Sequence, residues 1–315
     1  MASAFKPILP PTLERPREKP NGNQLASLVK STFHLSTLLL LGALVQGLLS
    51  LILPPRYALL PAIFLLLRTA IHTVQTLSAA SASDYYVRTQ GVISPKTSAG
   101  LPPLTSFSPS HSDQDNQTSH TTTTKAATGE QENRQGQGLV VFHIGVRFHH
   151  PLSAAGTPHA RELGAYFQAC HTTLLSEAKK YGCLGGSTYR SEGADNNNVF
   201  LSVYYFRDLE GLERFAREKE GVHMKAWKWY ESLAKDGGGD VMDSPARHFG
   251  IFHETFCVPA GKWETLYVNM PPTLLGAGSV AVKNEETGGE EWVRTLVEAE
   301  GREFKSMRAR MGLNQ

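Results

Sequence analysis

Four histidines, one arginine and one glutamate stand where acid–base chemistry could be assembled. His143 and Arg147 lie in the strand-like run "LVVFHIGVRF" (139–148), and His150 follows it in "HHPL". His253 and Glu254 are neighbours in "FGIFHETFCV" (249–258), and His223 opens "HMKAWKWY" (223–230). A base beside a cation in a half-apolar pocket suits proton abstraction and the stabilisation of an enolate or peroxide anion. Only one of His253 and Glu254 can share a strand face with His143. The other reading of this set is an internal ionic network such as Arg147 with Glu254. The adjacent pair His149–His150 has neither HxH nor HExxH spacing, so no metal site is expected. His150 reads equally as a rim base and as a hydrogen-bonded turn histidine. On a helical wheel His223 lies near the middle of the apolar arc with Ala226, Trp227, Trp229, Tyr230 and Leu233. It is either a core histidine or a residue presented to a pocket as base or haem ligand.

These side chains need a framework, and the local patterns supply one. The run 139–148 is rich in β-branched and aromatic residues and reads as a strand. A helix follows with Leu163, Phe167, Cys170, Leu174 and Ala178 at three-to-four spacing, and Gly182 ends it. Strands are expected at 183–190 and 199–206. Asp208 caps a short helix, the helix of "HMKAWKWY" runs to about Lys235, and 249–258 is the last strand. The order β-α-β-β-α-β is a ferredoxin-like unit with sheet order 4-1-3-2. Alternation opposes Val140, Phe142, Ile144 and Val146 to Val141, His143, Gly145 and Arg147; it likewise opposes Val199, Leu201, Val203 and Tyr205 to Phe200, Ser202, Tyr204 and Phe206. Placing the purely apolar sets under the helices puts His143, Arg147, Ser202 and Tyr204 in one lumen. Two such half-polar faces packed together would make a dimeric α+β barrel, so a homodimer is expected. "PAGKWETLYVNMPPTLLG" (259–276) reads as an arm or lid, with Trp263 and Tyr267 beside the pocket, as is Trp227.

Composition divides the remaining chain. Thirty-one basic and 29 acidic residues give no reason to expect nucleic acid. Three scattered cysteines, Cys170, Cys183 and Cys257, suit a reducing compartment. "LSTLLLLGALVQGLLSLIL" (35–53) would rise about 28 Å as a helix, close to a bilayer's hydrocarbon thickness. A second run from Ala58 to Leu77 follows after Pro54-Pro55, as a second span or as a re-entrant or interfacial arm of a hairpin. With two spans, basic residues on both flanks place both ends in the cytosol. The organelle stays open, with the endoplasmic reticulum compatible. The expected domains are a polar segment (1–34), a hydrophobic membrane hairpin (35–78), a disordered Ser/Thr-rich tether (79–137), the barrel domain with its arm (138–276), and a loop with an amphipathic C-terminal helix (277–315).

Residues 139–276 resemble a family of fungal and bacterial monooxygenase-like proteins in the wider dimeric α+β barrel group, which includes antibiotic-biosynthesis monooxygenases. The resemblance rests on "HPL" (150–152), "GCLGGSTY" (182–189), "YF" (205–206), His223 with Trp227 and Trp229, "HE" (253–254), and "PAGKWETLYVN" (259–269) with "PPTLLG". Ser153 departs from it, standing where glycine is expected, and Tyr230 stands where a third tryptophan is common. The resemblance implies an oxygenase acting on an apolar polyketide- or terpenoid-like metabolite with O₂. It implies either no cofactor, the deprotonated substrate reacting directly with O₂, or, as in some of the wider group, a histidine-bound haem held by His223 or His253. A non-enzymatic, membrane-tethered binding protein is the third possibility.

Overall fold

The computed structural model describes residues 5–16, 29, 33, 35–78, 91–93, 95–102, 138–150, 152–191, 199–236, 238, 240–284, 288–301 and 305–311. The two apolar runs form helices α1 (Leu35–Ile52) and α3 (Leu60–Leu77). Leu53, Pro54 and the one-turn helix α2 (Pro55–Ala58) make the turn between them. By length and composition the stretches Leu35–Ile52 and Pro55–Leu77, 18 and 23 residues long, are able to cross a membrane. Five hydroxyls in and beside them are satisfied locally. Ser50 donates to the Gln46 carbonyl, and Thr69, Thr73, Thr76 and Ser78 each donate to the carbonyl four residues earlier. Gln46 donates across the turn to the Ala58 carbonyl at 3.0 Å. In hydrocarbon an unmade hydrogen bond costs several kcal/mol, so this internal pairing is what a lipid environment demands.

After β1 (Thr97–Ala99), the ferredoxin-like unit runs β2 (Leu139–Phe148), α4 (Ala160–Ser176), α5 (Ala178–Tyr181), β3 (Cys183–Ser191), β4 (Val199–Phe206), α6 (Leu209–Arg217), α7 (Val222–Lys235) and β5 (Phe249–Val258). Its sheet order is β3-β4-β2-β5, every pair antiparallel, which is the expected 4-1-3-2 order. Gly182 ends α5 in the left-handed region at φ 61°, and the Asp208 carboxylate caps α6 by accepting from the Gly211 N–H at 2.7 Å.

Register decides which residues share a face. Val140, Phe142, Ile144 and Val146 of β2 stand opposite Phe206, Tyr204, Ser202 and Phe200 of β4. Directly opposed residues point the same way, so the Phe200–Phe206 set lies under the helices and the Val199–Tyr205 set does not. This reverses the expected face of β4. Two core clusters hold the helical layer on the sheet. One joins Val140, Tyr204 and Phe206 to Leu174, Tyr181 and Phe215; the other joins Val146, Phe148 and Phe249 to Leu163 and Leu233.

The remaining segments form a collar on the opposite face. β6 (Ser279–Lys283) pairs with β7 (Glu290–Arg294), and β8 (Leu296–Glu298) pairs with β1. Strands therefore occupy 290–298, where the sequence pattern predicts an amphipathic helix; the only helical turn beyond them among the described residues is α8 (Met307–Arg310). Val293, Thr295 and Val297 suit strands, and pairing partners outside the local sequence decide between the two patterns. Pro7 bridges Val297 and Thr12 bridges Trp292, so the N-terminal segment joins the collar too. Residues 91–93 and 95–102, expected within the tether, are also docked here through Ile93–Met270 and Thr97–Tyr267. The rest of the expected tether, 79–90, 94 and 103–137, lies outside the described residues.

Candidate active site

Between the two core clusters lie side chains of the helix–sheet layer that are only partly buried. Phe142, Ile144, Phe167, Cys170 and Phe200 sit at this seam and keep part of their surface accessible. Polar groups converge there. The Tyr204 hydroxyl lies 2.9 Å from His171 Nδ1, and Ser202 Oγ lies 2.7 Å from Thr188 Oγ1. Tyr204 and Ser202 are buried, whereas Thr188 on β3 is exposed, so the seam opens at that strand. Gly186 makes the arrangement possible: a Cβ there would lie 2.2 Å from the Tyr204 ring.

Burial sets the protonation states. It raises the Tyr204 phenol pKa well above its ordinary value, a neighbouring Cys183 adding to the effect. It lowers the His171 imidazole pKa, helped by the positive charge of Arg15. Burial also pushes the Cys170 thiol up to about 11, which leaves it a neutral, inert sulfur near neutral pH. The pair therefore offers a neutral imidazole and a neutral phenol. With Nδ1 protonated and donating to the phenol oxygen, Nε2 carries the free lone pair and the phenol O–H is free to donate to an anion.

Arg15 reaches this region from the N-terminal segment. Its guanidinium donates to the carbonyls of Leu175 at 2.7 Å and Leu184 at 3.0 Å, and lies 5.3 Å from the Trp292 ring centre. It thus clamps the end of α4, which carries His171, to the start of β3.

The residues expected to form one site are divided by the sheet. His143 and Glu254 do meet on the open face, Nδ1 to Oε2 3.6 Å, with the imidazole edge-on to Phe256 at 5.4 Å. The Glu254 side chain is 62% exposed, so the pair is weak. Arg147 shares that face, but four residues along a strand is about 13 Å, and it is exposed. Ser202 and Tyr204 lie on the other face, under the helices, because the register pairs them with Ile144 and Phe142. His253 also points to the helical side, with its ring 5.9 Å from Phe142. His150 is a turn histidine: its Nδ1 accepts from the Leu152 N–H at 3.1 Å, and its ring occupies the space a Cβ on Gly156 would need.

His223 donates from Nδ1 to the Ala216 carbonyl at 2.9 Å, and its half-buried ring lies against Phe215 of a core cluster. It fastens α6 to α7. His253 stands exposed on an edge strand. Among the described residues no group of three or more His, Cys, Asp or Glu side chains could hold a metal ion. Trp227 is exposed on α7 and pairs with Tyr230, outside the seam. Trp263 and Tyr267 pack in the collar; the Tyr267 hydroxyl accepts from the Gly276 N–H at 3.0 Å. His171 carries no spacing signal in the sequence. Its position one residue after Cys170 on the buried side of α4 is the only hint of it.

Strand order, helices and the part-buried His–Tyr pair define a ferredoxin-like α+β domain with polar groups at a seam beneath its helices. Residues 139–275 match the family described as Monooxygenase af470-like. The chain is 34% identical over 313 residues to the monooxygenase af470 of Aspergillus fumigatus, covering 99% of each chain, hairpin included. The chain belongs to the monooxygenase af470-like family and is an oxidoreductase. Among solved structures, an aldoxime dehydratase in complex with butyraldoxime is similar at TM-score 0.35 and 17% identity; the match covers 44% of this chain and 36% of that one. SnoaB, a cofactor-independent oxygenase from Streptomyces nogalater, is similar at TM-score 0.24 and 13% identity, covering 38% of this chain and 91% of that one.

Proposed function

We propose that the chain is a membrane-anchored monooxygenase that oxidises an apolar, polyketide- or terpenoid-like metabolite without metal or flavin. The observation that carries this reading is the neutral His171–Tyr204 pair at a helix–sheet seam otherwise lined by aromatic and aliphatic groups. His171 Nε2 takes a proton from an acidic C–H of the substrate, and the Tyr204 O–H donates to the enolate oxygen that results. The carbanion gives its electrons to O₂ and a C–O bond forms, leaving a peroxide. The O–O bond then breaks: one oxygen stays as a new carbonyl, and the other leaves as water with the two protons removed from carbon. Apolar walls exclude water while this happens.

The two apolar helices support anchoring. Docking of both flanking segments on one collar supports a hairpin whose ends lie on the same side, and the flanking basic residues favour the cytosol. Phe252 and Phe256, exposed along the edge strand β5, favour pairing of two copies through the open face.

Deleting the gene in its host and comparing metabolites would reveal an accumulating precursor. The full chain in lipid nanodiscs should convert that precursor under ¹⁸O₂ with one labelled oxygen retained, in the presence of EDTA and without flavin. A product carrying no oxygen from O₂, or strict dependence on a metal or flavin, would overturn the reading.

A further inference from the structure

The contacts on either side of the hairpin fall along one edge of the sheet. Arg15 is bound to the carbonyl of Leu184, near the start of β3. Phe33, two residues before α1, accepts from Arg190 Nη1 at 2.9 Å, one residue before the end of β3. Two residues of chain span at most about 7 Å, so α1 begins beside this strand. Beyond α3 the chain returns at Ile93, whose N–H donates to the Met270 carbonyl at 3.1 Å. Three residues further, Thr273 Oγ1 lies 3.4 Å from the Tyr189 hydroxyl of the same strand.

The surface around these landing points is apolar. Leu266, Val268 and Met270 are 46%, 55% and 45% exposed, and Tyr189 is 42% exposed. They alternate with Tyr267, which is buried and paired with Thr97, so the period of two turns them outward. Thr188, the exposed end of the Ser202 contact, points to the helical face and Tyr189 to the collar face, so the two reach a common surface only along the β3 edge.

The geometry points to a lipid-facing β3 edge: Tyr189, Leu266, Val268 and Met270 lie against the bilayer, and the seam takes its substrate laterally from it past Thr188. This rests on the reading of the hairpin as a membrane anchor and of the seam as the active site. It restricts the substrate to molecules that partition into lipid, because this edge faces acyl chains rather than water.

Spin labels in phosphatidylcholine nanodiscs test it without a known substrate. The full chain with exposed Cys257→Ser as background would carry Leu44→Cys, Val268→Cys, Thr188→Cys or Lys219→Cys. Collision rates with O₂, which concentrates in lipid, are compared with those of a water-soluble nickel chelate. Labels at 44, 268 and 188 should favour O₂ several-fold over the label at 219. A lipid-like signal at 44 with a water-like one at 188 overturns the entrance while leaving the anchor standing. A water-like signal at 44 overturns the anchor and this inference with it.

Discussion

The Tyr204 hydroxyl and His171 Nδ1 lie 2.9 Å apart across the boundary between β4 and α4, with burial acting on both groups to keep them neutral. If they are base and donor, His171→Ala lowers kcat by about 10²–10⁴, and Tyr204→Phe by about 10²–10³. Steady-state O₂ uptake with the accumulated precursor measures both. A loss below threefold in either variant, with an unchanged thermal midpoint, would remove that residue from the mechanism.

The lowered His171 pKa has a definite sign. Its native value lies below the ordinary 6.5, so near that pH the unfolded chain binds the proton more readily. Stability is therefore full above about 6.5 and falls as pH drops from there through the native pKa. The acid limb of kcat/KM should likewise lie below 6.5. Arg15→Gln removes a nearby positive charge and loosens the clamp that keeps water out, so the limb should move upward. Arg15→Lys should hold it closer to the original position. Identical pH profiles in all three proteins would refute the link.

Gly186→Ala places a methyl where the Tyr204 ring lies. The ring must shift, at a cost of about 1–3 kcal/mol, and the contact with His171 lengthens with it. Activity should fall nearly as far as in Tyr204→Phe. A fully active Gly186→Ala protein would show that the ring position is immaterial.

Ser153 occupies the left-handed region at φ 58°, and its fully buried hydroxyl has no hydrogen-bond partner among the described residues. Glycine, expected here by family resemblance, would remove both costs. Ser153→Gly should stabilise the protein by about 1 kcal/mol, raising the melting temperature by a few degrees. Differential scanning fluorimetry would detect it, and a lower midpoint would contradict the backbone argument.

His223→Ala separates packing from chemistry. Loss of its bond to the Ala216 carbonyl should cost about 1 kcal/mol of stability, with kcat held within about twofold. A large fall in kcat at unchanged stability would return His223 to the site.

Topology was legible because strand and helix signals are local: β-branched runs, the Asp208 cap and Gly182 each act within a few residues. The face of β4 was not. A set containing Ser202 and Tyr204 looks too polar to lie under helices, until Thr188 and His171 are known to satisfy those hydroxyls. The partner that makes burial tolerable lies 33 residues away in one case, and no spacing rule exposes it. The docking of Pro7, Thr12 and Thr97 was hidden for the same reason, since each depends on a strand near the far end of the chain.

That last dependence orders the protein's birth. β8 ends at residue 298 of 315, whereas the hairpin is complete at Leu77. At roughly 5–20 residues per second, tens of seconds of translation separate the two. Throughout that interval the N-terminal segment and β1 have no strand to join. The hairpin of a nascent chain is thus complete long before the collar can exist, and collar assembly waits for the last strands. A premature stop codon upstream of Leu296 would leave the N-terminal segment and β1 unlatched.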